Sequence, residues 1–377
     1  MRVALVIAGP FPAFRGSQVL VGHIADGLRS RGHTVELVTY GTWLAERPGP
    51  GMRRVVLDVV LVARLVMRVV RARIDVIHAH NYEAAIAGII AARVTGRPLV
   101  YHGHCAMADE LPTYMTSTRM RRLAARAGRL LDAQVPRRAD FCIAVTDALG
   151  DRLRREGVPA HAIACIEPVA APGEFGPVAP AADDRLVCYA GNLDGYQNLE
   201  VLLAAFRRVR IAEPAARLVL VTHADARANA RRLTTRGPQP GVEIVQAASY
   251  DEVRLRLAGA AVAVCPRSES SGFPMKLLNY MAEGKAIVVS SGSAKWIDHG
   301  VTGIVVPDDD PAAFAHAIVD LLRDADARAR LGRAARVAVE DPTAWENVLD
   351  RIEAIYYRVA AGRAARPAHA PARGVQP

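Results

Sequence analysis

Cysteine is scarce in these 377 residues and is never paired in sequence. Cys105, Cys142, Cys165, Cys188 and Cys265 stand singly, without a Cys-x-x-Cys, which argues against structural zinc and for reduced thiols in a cytoplasmic protein. No uninterrupted apolar run reaches the ~20 residues needed to span a bilayer. Residues Arg2 to Ala8 are strand-length and run straight into a Gly-Pro turn, so they read as a first strand rather than a secretory leader. Aromatic residues are only 5% and are not interleaved with the basic ones, so no nucleic-acid partner is expected despite a net charge of +10. The first βα turn lacks Gly-x-Gly-x-x-Gly, which disfavours nicotinamide or flavin chemistry.

What is present is an α/β pattern with a hydrophobic content of 51% and enough length for two cored domains. Short apolar runs of parallel-strand type recur at Arg2–Ile7, His33–Thr39, Ile74–His80, Pro98–His104, Asp140–Val145 and Ala162–Ile166. A second series begins at Leu186 and continues through Leu218–Thr222, Val242–Val245, Ala260–Val264, Ala286–Val289 and Thr302–Val306. Helical periodicity lies between them, as at Gln18–Arg31 and Pro311–Leu331. Val55 to Arg73 is apolar and basic together, which suits packing on the N-terminal sheet and also an anionic membrane surface; packing is the preferred reading. Residues Pro168 to Asp184 are rich in Pro, Ala and Gly and read as a linker, and Ala365–Pro377 as a disordered tail.

The most informative stretch is Ala260 to Ser290, which reads as strand, polar loop, helix, strand. Pro274 sits where a first helical residue belongs, and Gly284 ends the helix. Ser270, Ser271 and Gly272 would then offer backbone amides beside Arg267 and Lys276, a natural seat for a phosphate or diphosphate. Asn279, one turn on, is within reach of a sugar hydroxyl; Lys276, Asn279, Tyr280 and Glu283 are expected on one helix face. Ligands of open α/β sheets bind at the carboxyl ends of strands, where two runs end in His78-Ala79-His80 and His102-Gly103-His104. His80 and His104 are therefore candidates to face a cleft, and Gly16-Ser17 marks another strand end where a ligand could meet bare backbone. Asp109, Glu110 and Tyr114 would hang over the same cleft, suited to an acceptor's hydroxyls or amines, or form an ordinary solvated loop. Metal binding by the four histidines is the rival reading, disfavoured because no adjacent carboxylate or thiol completes a first shell.

Gly272-Phe273-Pro274, followed by Leu277 to Ala282 and Gly284-Lys285, resembles the donor-site signature of the retaining GT-B glycosyltransferases of family 4. The resemblance covers nearly the whole chain, including the Arg31-Gly32-His33-x-Val35 turn and a final helix from Trp345. It implies two Rossmann-like domains facing a cleft: residues 1–170, a linker over 171–185, a donor domain over 186–344, and a helix over 345–364 that crosses back. The family's Glu-x7-Glu motif falls on Ser271 and Asn279, so both acids are replaced; Glu269 is two residues out of register. The loop that carries an Arg and a Lys for the diphosphate in most members has Asn192 and Gln197 here. His104 matches the family's sugar-contacting histidine. The implied activity is metal-independent, retaining transfer from a nucleotide-diphosphate sugar to a small-molecule, glycan or lipid acceptor, with a peripheral membrane contact as a further expectation. A non-catalytic GT-B binding protein is the alternative, motivated by the replaced residues.

Overall fold

The computed structural model describes residues 1–12, 16–41, 51–115, 117–171, 183–222, 239–268 and 272–364. The first half alternates β1 (Arg2–Ile7), α1 (Gly16–Ser30), β2 (Thr34–Val38), α2 (Met52–Arg71), β3 (Val76–His80) and α3 (Asn81–Thr95). It continues with β4 (Leu99–Gly103), α4 (Met107–Glu110), α5 (Thr118–Gln134), β5 (Phe141–Ala144), α6 (Asp147–Arg155) and β6 (Ile163–Cys165). The strands are all parallel, in the order β2-β1-β3-β4-β5-β6.

The second half begins with β7 (Asp183–Ala190), α7 (Leu199–Ala212), β8 (Arg217–Thr222), β9 (Val242–Gln246) and β10 (Ala260–Cys265), and ends its sheet with β11 (Ala286–Ser290) and β12 (Ile304–Val306). These strands are also parallel, in the order β12-β11-β10-β7-β8-β9. Val, Ile, Leu and Ala fill both faces of each sheet, as helix-covered parallel sheets require. Two Rossmann-like domains result. Each sheet has a reversal point, between β1 and β3 in one and between β7 and β10 in the other, where open α/β sheets bind ligands.

Helix Ala344–Ala364 packs on the first sheet. Trp345, Leu349, Ile352 and Tyr356 join the core built from Val3, Leu5 and Ile24. Polar ties reinforce it: Arg31 donates to Asp350 at 2.6 Å, and Arg363 pairs with Asp140 at 3.1 Å.

Three local differences from the sequence reading have simple causes. Pro311–Leu331 is not one helix but two, Pro311–Arg323 and Ala325–Val339, because Asp324 turns extended and caps the second through Ala327 N. Helix α5 was not anticipated; its exposed Arg-rich faces mask the apolar period. The first strand of the second sheet starts at Asp183, inside the expected linker. Residues 172–182 of that linker and the tail 365–377 lie outside the described residues.

Candidate active-site cleft

The carboxyl ends of both sheets face one cavity of about 690 Å³. After β1, Gly16 and Ser17 open α1 at its edge; after β4 come His104 and the loop leading to Glu110. Opposite stand Asn192 and Gln197 after β7, and Arg267 after β10. The two walls approach closely at the back of the cavity. A Cβ on Gly272 would lie 2.5 Å from the His104 carbonyl oxygen, and one on Gly16 would lie 2.8 Å from Met275 Cγ. Any side chain at either position would wedge the halves apart, so glycine here is a spatial requirement.

Lys276 is the central cation of the second wall. Its Nζ donates to the Tyr189 hydroxyl at 2.7 Å and to Gln197 Oε1 at 2.5 Å, and lies 4.1 Å from the Tyr189 ring centroid. Burial pushes its ammonium down to about 8, and the nearby Arg267 charge pushes the same way. Arg267 is only 8% exposed; it lies over the Tyr196 ring and donates to the Gly272 carbonyl at 3.2 Å, while its Nε has no partner. Two close cations lining a cavity attract an anion there, with the buried Asp194 carboxylate on the same wall acting on Lys276 in the opposite sense to Arg267. Asn192 donates to the Tyr196 hydroxyl at 2.7 Å.

Helix Lys276–Ala282 presents only part of its polar face to the cavity. Lys276 and Asn279 line the cavity together with Phe273 and Pro274. Tyr280 instead is fully buried, accepting from Ala190 N at 2.8 Å, and Glu283 is buried against Arg254 at 2.7 Å. The expected four-residue polar face is thus divided between cleft and core. Ser270 and Ser271 lie outside the described residues, as does Glu269.

The first wall is built differently. His78, His80, His102 and His104 point to one side of β3 and β4, because alternate strand residues share a face. Only His104 lines the cavity. The reading of His80 as a cleft residue is corrected: it is fully buried behind His104, with its Nδ1 3.0 Å from His104 Nε2. His78 bridges the Tyr356 hydroxyl at 2.6 Å and His102 Nδ1 at 3.1 Å. Burial holds His104 down at about 4 and His78 at about 3, so both rings are neutral at pH 7. Ring nitrogens of His78, His80 and His102 lie within 4.8 Å of one another, a spacing a metal ion can bridge; both His78 nitrogens, His102 Nδ1 and His80 Nδ1 are hydrogen-bonded, while His80 Nε2 and His102 Nε2 are buried without a partner.

Asp109, Glu110 and Tyr114 all line the cavity, but each acid is engaged. Asp109 pairs with Arg152 at 2.9 Å. Glu110 accepts from the Tyr114 hydroxyl at 2.9 Å and the Cys105 thiol at 2.6 Å. Sequence reasoning missed Asp132, on α5, which organises this loop. It is buried and accepts from the Tyr82 hydroxyl at 2.6 Å, Met107 N at 2.8 Å and Ala108 N at 3.1 Å. It also missed Arg54 and Glu83, paired at 3.0 Å on the cavity wall. No local motif marks these residues; only their meeting in space does.

Residues 14–169 match the family model Glycosyltransferase Family 4, and residues 184–324 match Glycosyl transferases group 1. The chain is a GT-B glycosyltransferase related to these families. Among curated relatives, this glycosyltransferase is 26% identical over 312 residues to a D-inositol 3-phosphate glycosyltransferase of Nocardiopsis dassonvillei, covering 77% of this chain and 72% of that one. Its fold is similar to sucrose-phosphate synthase from Thermosynechococcus elongatus, with a TM-score of 0.78, 18% identity, and coverage of 96% and 100%. It is also similar to Anabaena HepE in complex with UDP and glucose, at a TM-score of 0.66, 18% identity, and coverage of 94% and 98%.

Proposed function

We propose that the glycosyltransferase moves a sugar, with retention at the anomeric carbon, from a nucleotide-diphosphate sugar, and that Lys276 and Arg267 hold the diphosphate. The observation that carries this reading is the position of Lys276 Nζ against Gln197 Oε1. Gln197 stands where the family resemblance places a diphosphate-binding cation, so Lys276 returns a positive charge to that spot from a different loop. Arg267, packed on Tyr196 beside Asn192, does the same for the other lost cation.

In this scheme the bond between the anomeric carbon and the leaving phosphate oxygen breaks as the acceptor oxygen attacks from the same face. The acceptor's proton passes to the departing phosphate, so no protein nucleophile is needed. The negative charge that grows on the diphosphate is met by Lys276 and Arg267 in a partly desolvated site, where such contacts count most. His104, neutral at pH 7, holds a sugar hydroxyl as donor or acceptor, and Asn279 takes the ribose in place of a carboxylate. Asp109, Glu110 and Tyr114 orient the acceptor, a small molecule, a glycan or a lipid. Gly16, Ser17, Gly272, Phe273 and Pro274 shape the donor site by close backbone approach. The Ser270–Ser271 amides remain assigned to the diphosphate by sequence position. The HepE complex with UDP and glucose supports a nucleotide-sugar ligand for this cleft architecture.

Calorimetric titration with UDP, GDP, ADP and dTDP tests the reading. One nucleoside diphosphate binding at micromolar affinity, followed by turnover of its sugar conjugate, is the expected result. If all four fail to bind, the diphosphate assignment is wrong.

A further inference from the structure

Helix α2 is apolar on two opposite faces. Leu61, Leu65 and Val69 pack inward into the core. On the far side Val56, Val59 and Val70 are 60%, 65% and 63% exposed, and Met52 and Met67 stand in the same row. Positions 52, 56, 59, 63, 67 and 70 step by three or four residues, so they form one continuous stripe. A surface helix ordinarily carries polar residues there, and an apolar stripe rimmed by charge marks a docking surface. Helix α3 packs beside α2 and extends the patch with Ile86, Ile90 and Val94, spaced four apart, the last 67% exposed.

Charge selects the occupant. Arg53, Arg64 and Arg71 run along one edge of the α2 stripe and make no ion pair among the described residues; Arg68 pairs with Glu36 at 3.3 Å. The acids of the two helices, Asp58 and Glu83, both line the cavity instead. A second copy of the chain on this face would set arginines against arginines, whereas a negatively charged bilayer complements them. Val55 and Ile86, exposed residues of the same two helices, also line the cavity, so this face adjoins the cleft mouth. No described helix is long and apolar enough to cross a membrane, which leaves a contact lying on its surface.

We propose that the α2–α3 face docks on an anionic lipid bilayer. The acceptor is then a lipid-borne group presented to the cleft; this second clause rests on the transferase reading above.

Co-sedimentation of the full chain with vesicles tests the docking directly. Pure phosphatidylcholine is compared with an equal mixture of phosphatidylcholine and phosphatidylglycerol, at low and high salt. Tighter binding to the anionic vesicles, by tenfold or more and weakened by salt, is the expected result. The exposed triple variant Val56→Ser/Val59→Ser/Val70→Ser should lose at least tenfold in affinity, and Arg53→Gln/Arg64→Gln/Arg71→Gln roughly a hundredfold on anionic vesicles only. Absence of binding at low salt, or equal binding by wild type and the Val variant, overturns the proposal. So does a concentration-dependent dimer abolished by the Val substitutions without vesicle binding, which would assign the face to a second copy. Nucleoside diphosphate titration of the same variants should match wild type. If no diphosphate binds even to wild type, the transferase reading fails while the vesicle result stands.

Discussion

The two walls of the cleft solve different problems with different chemistry. The wall from the second sheet places two cations, Lys276 and Arg267, within aromatic and amide surroundings. The wall from the first sheet offers neutral histidines and carboxylates already engaged by Arg152, Tyr114 and Tyr82. One wall sets two cations beside the acid Asp194 on the cavity; the other spends most of its polar groups on internal order. Substitutions at the second wall's cations should therefore alter nucleotide binding most, and those at the first wall's buried anchors, Asp132 and Tyr356, should alter stability most.

The largest effect is expected in the first wall. Asp132→Ala strips a buried carboxylate from two backbone amides, a phenol and Arg152, so denaturant unfolding should show a loss of about 3–5 kcal/mol. A loss below about 1 kcal/mol would mean that the loop carrying Asp109 and Glu110 orders itself without this anchor.

Next comes Lys276→Ala in the second wall. Removing a half-buried charge partner of the diphosphate should weaken nucleotide affinity by about a hundredfold, with little change in thermal unfolding. Equal affinity would erase the proposed division of labour.

A pH series sharpens the same point. Lys276, lowered to about 8 by burial, is charged below that pH and binds a diphosphate in that state. As pH rises above about 8 the free protein sheds this proton, so affinity should fall by up to about tenfold per pH unit. A flat profile between pH 7 and 9.5 would show that Lys276 does not titrate against the ligand.

The smallest effect belongs to Tyr356→Phe. It deletes the hydroxyl bonded to His78 behind the first wall, so stability should drop by about 1 kcal/mol while nucleotide affinity stays unchanged. Altered nucleotide affinity would reveal a coupling from the crossing helix to the donor side that the hydrogen bonds do not suggest.

Much of the fold was legible because parallel strands and amphipathic helices write their periods locally. The runs Ala260–Val264 and Ala286–Val289 became β10 and β11 almost as read, and Thr146 caps α6 through Leu149 N. The site was legible only where strand ends are marked by distinctive residues, as at His104, Arg267 and Lys276. His80 was misplaced because a strand's alternation gives its face but not its depth: it shares a side with His104 yet lies one layer lower. Tyr280 and Glu283 share a helix face with Lys276 and Asn279 but lie in the core, since helical spacing cannot say which polar residues are claimed by neighbouring backbone and by Arg254.

By itself the sequence determined two α/β halves, the loops at their strand ends, and an apolar, basic α2. Those follow from short-range periodicity and backbone chemistry. Only the tertiary structure decided that Lys276 stands against Gln197, that Asp132 ties α5 beneath the cleft loop, and that one apolar face of α2 stays outside the core. Such pairings join residues 24 to 79 positions apart, and their register depends on how both sheets pack and not on any local pattern.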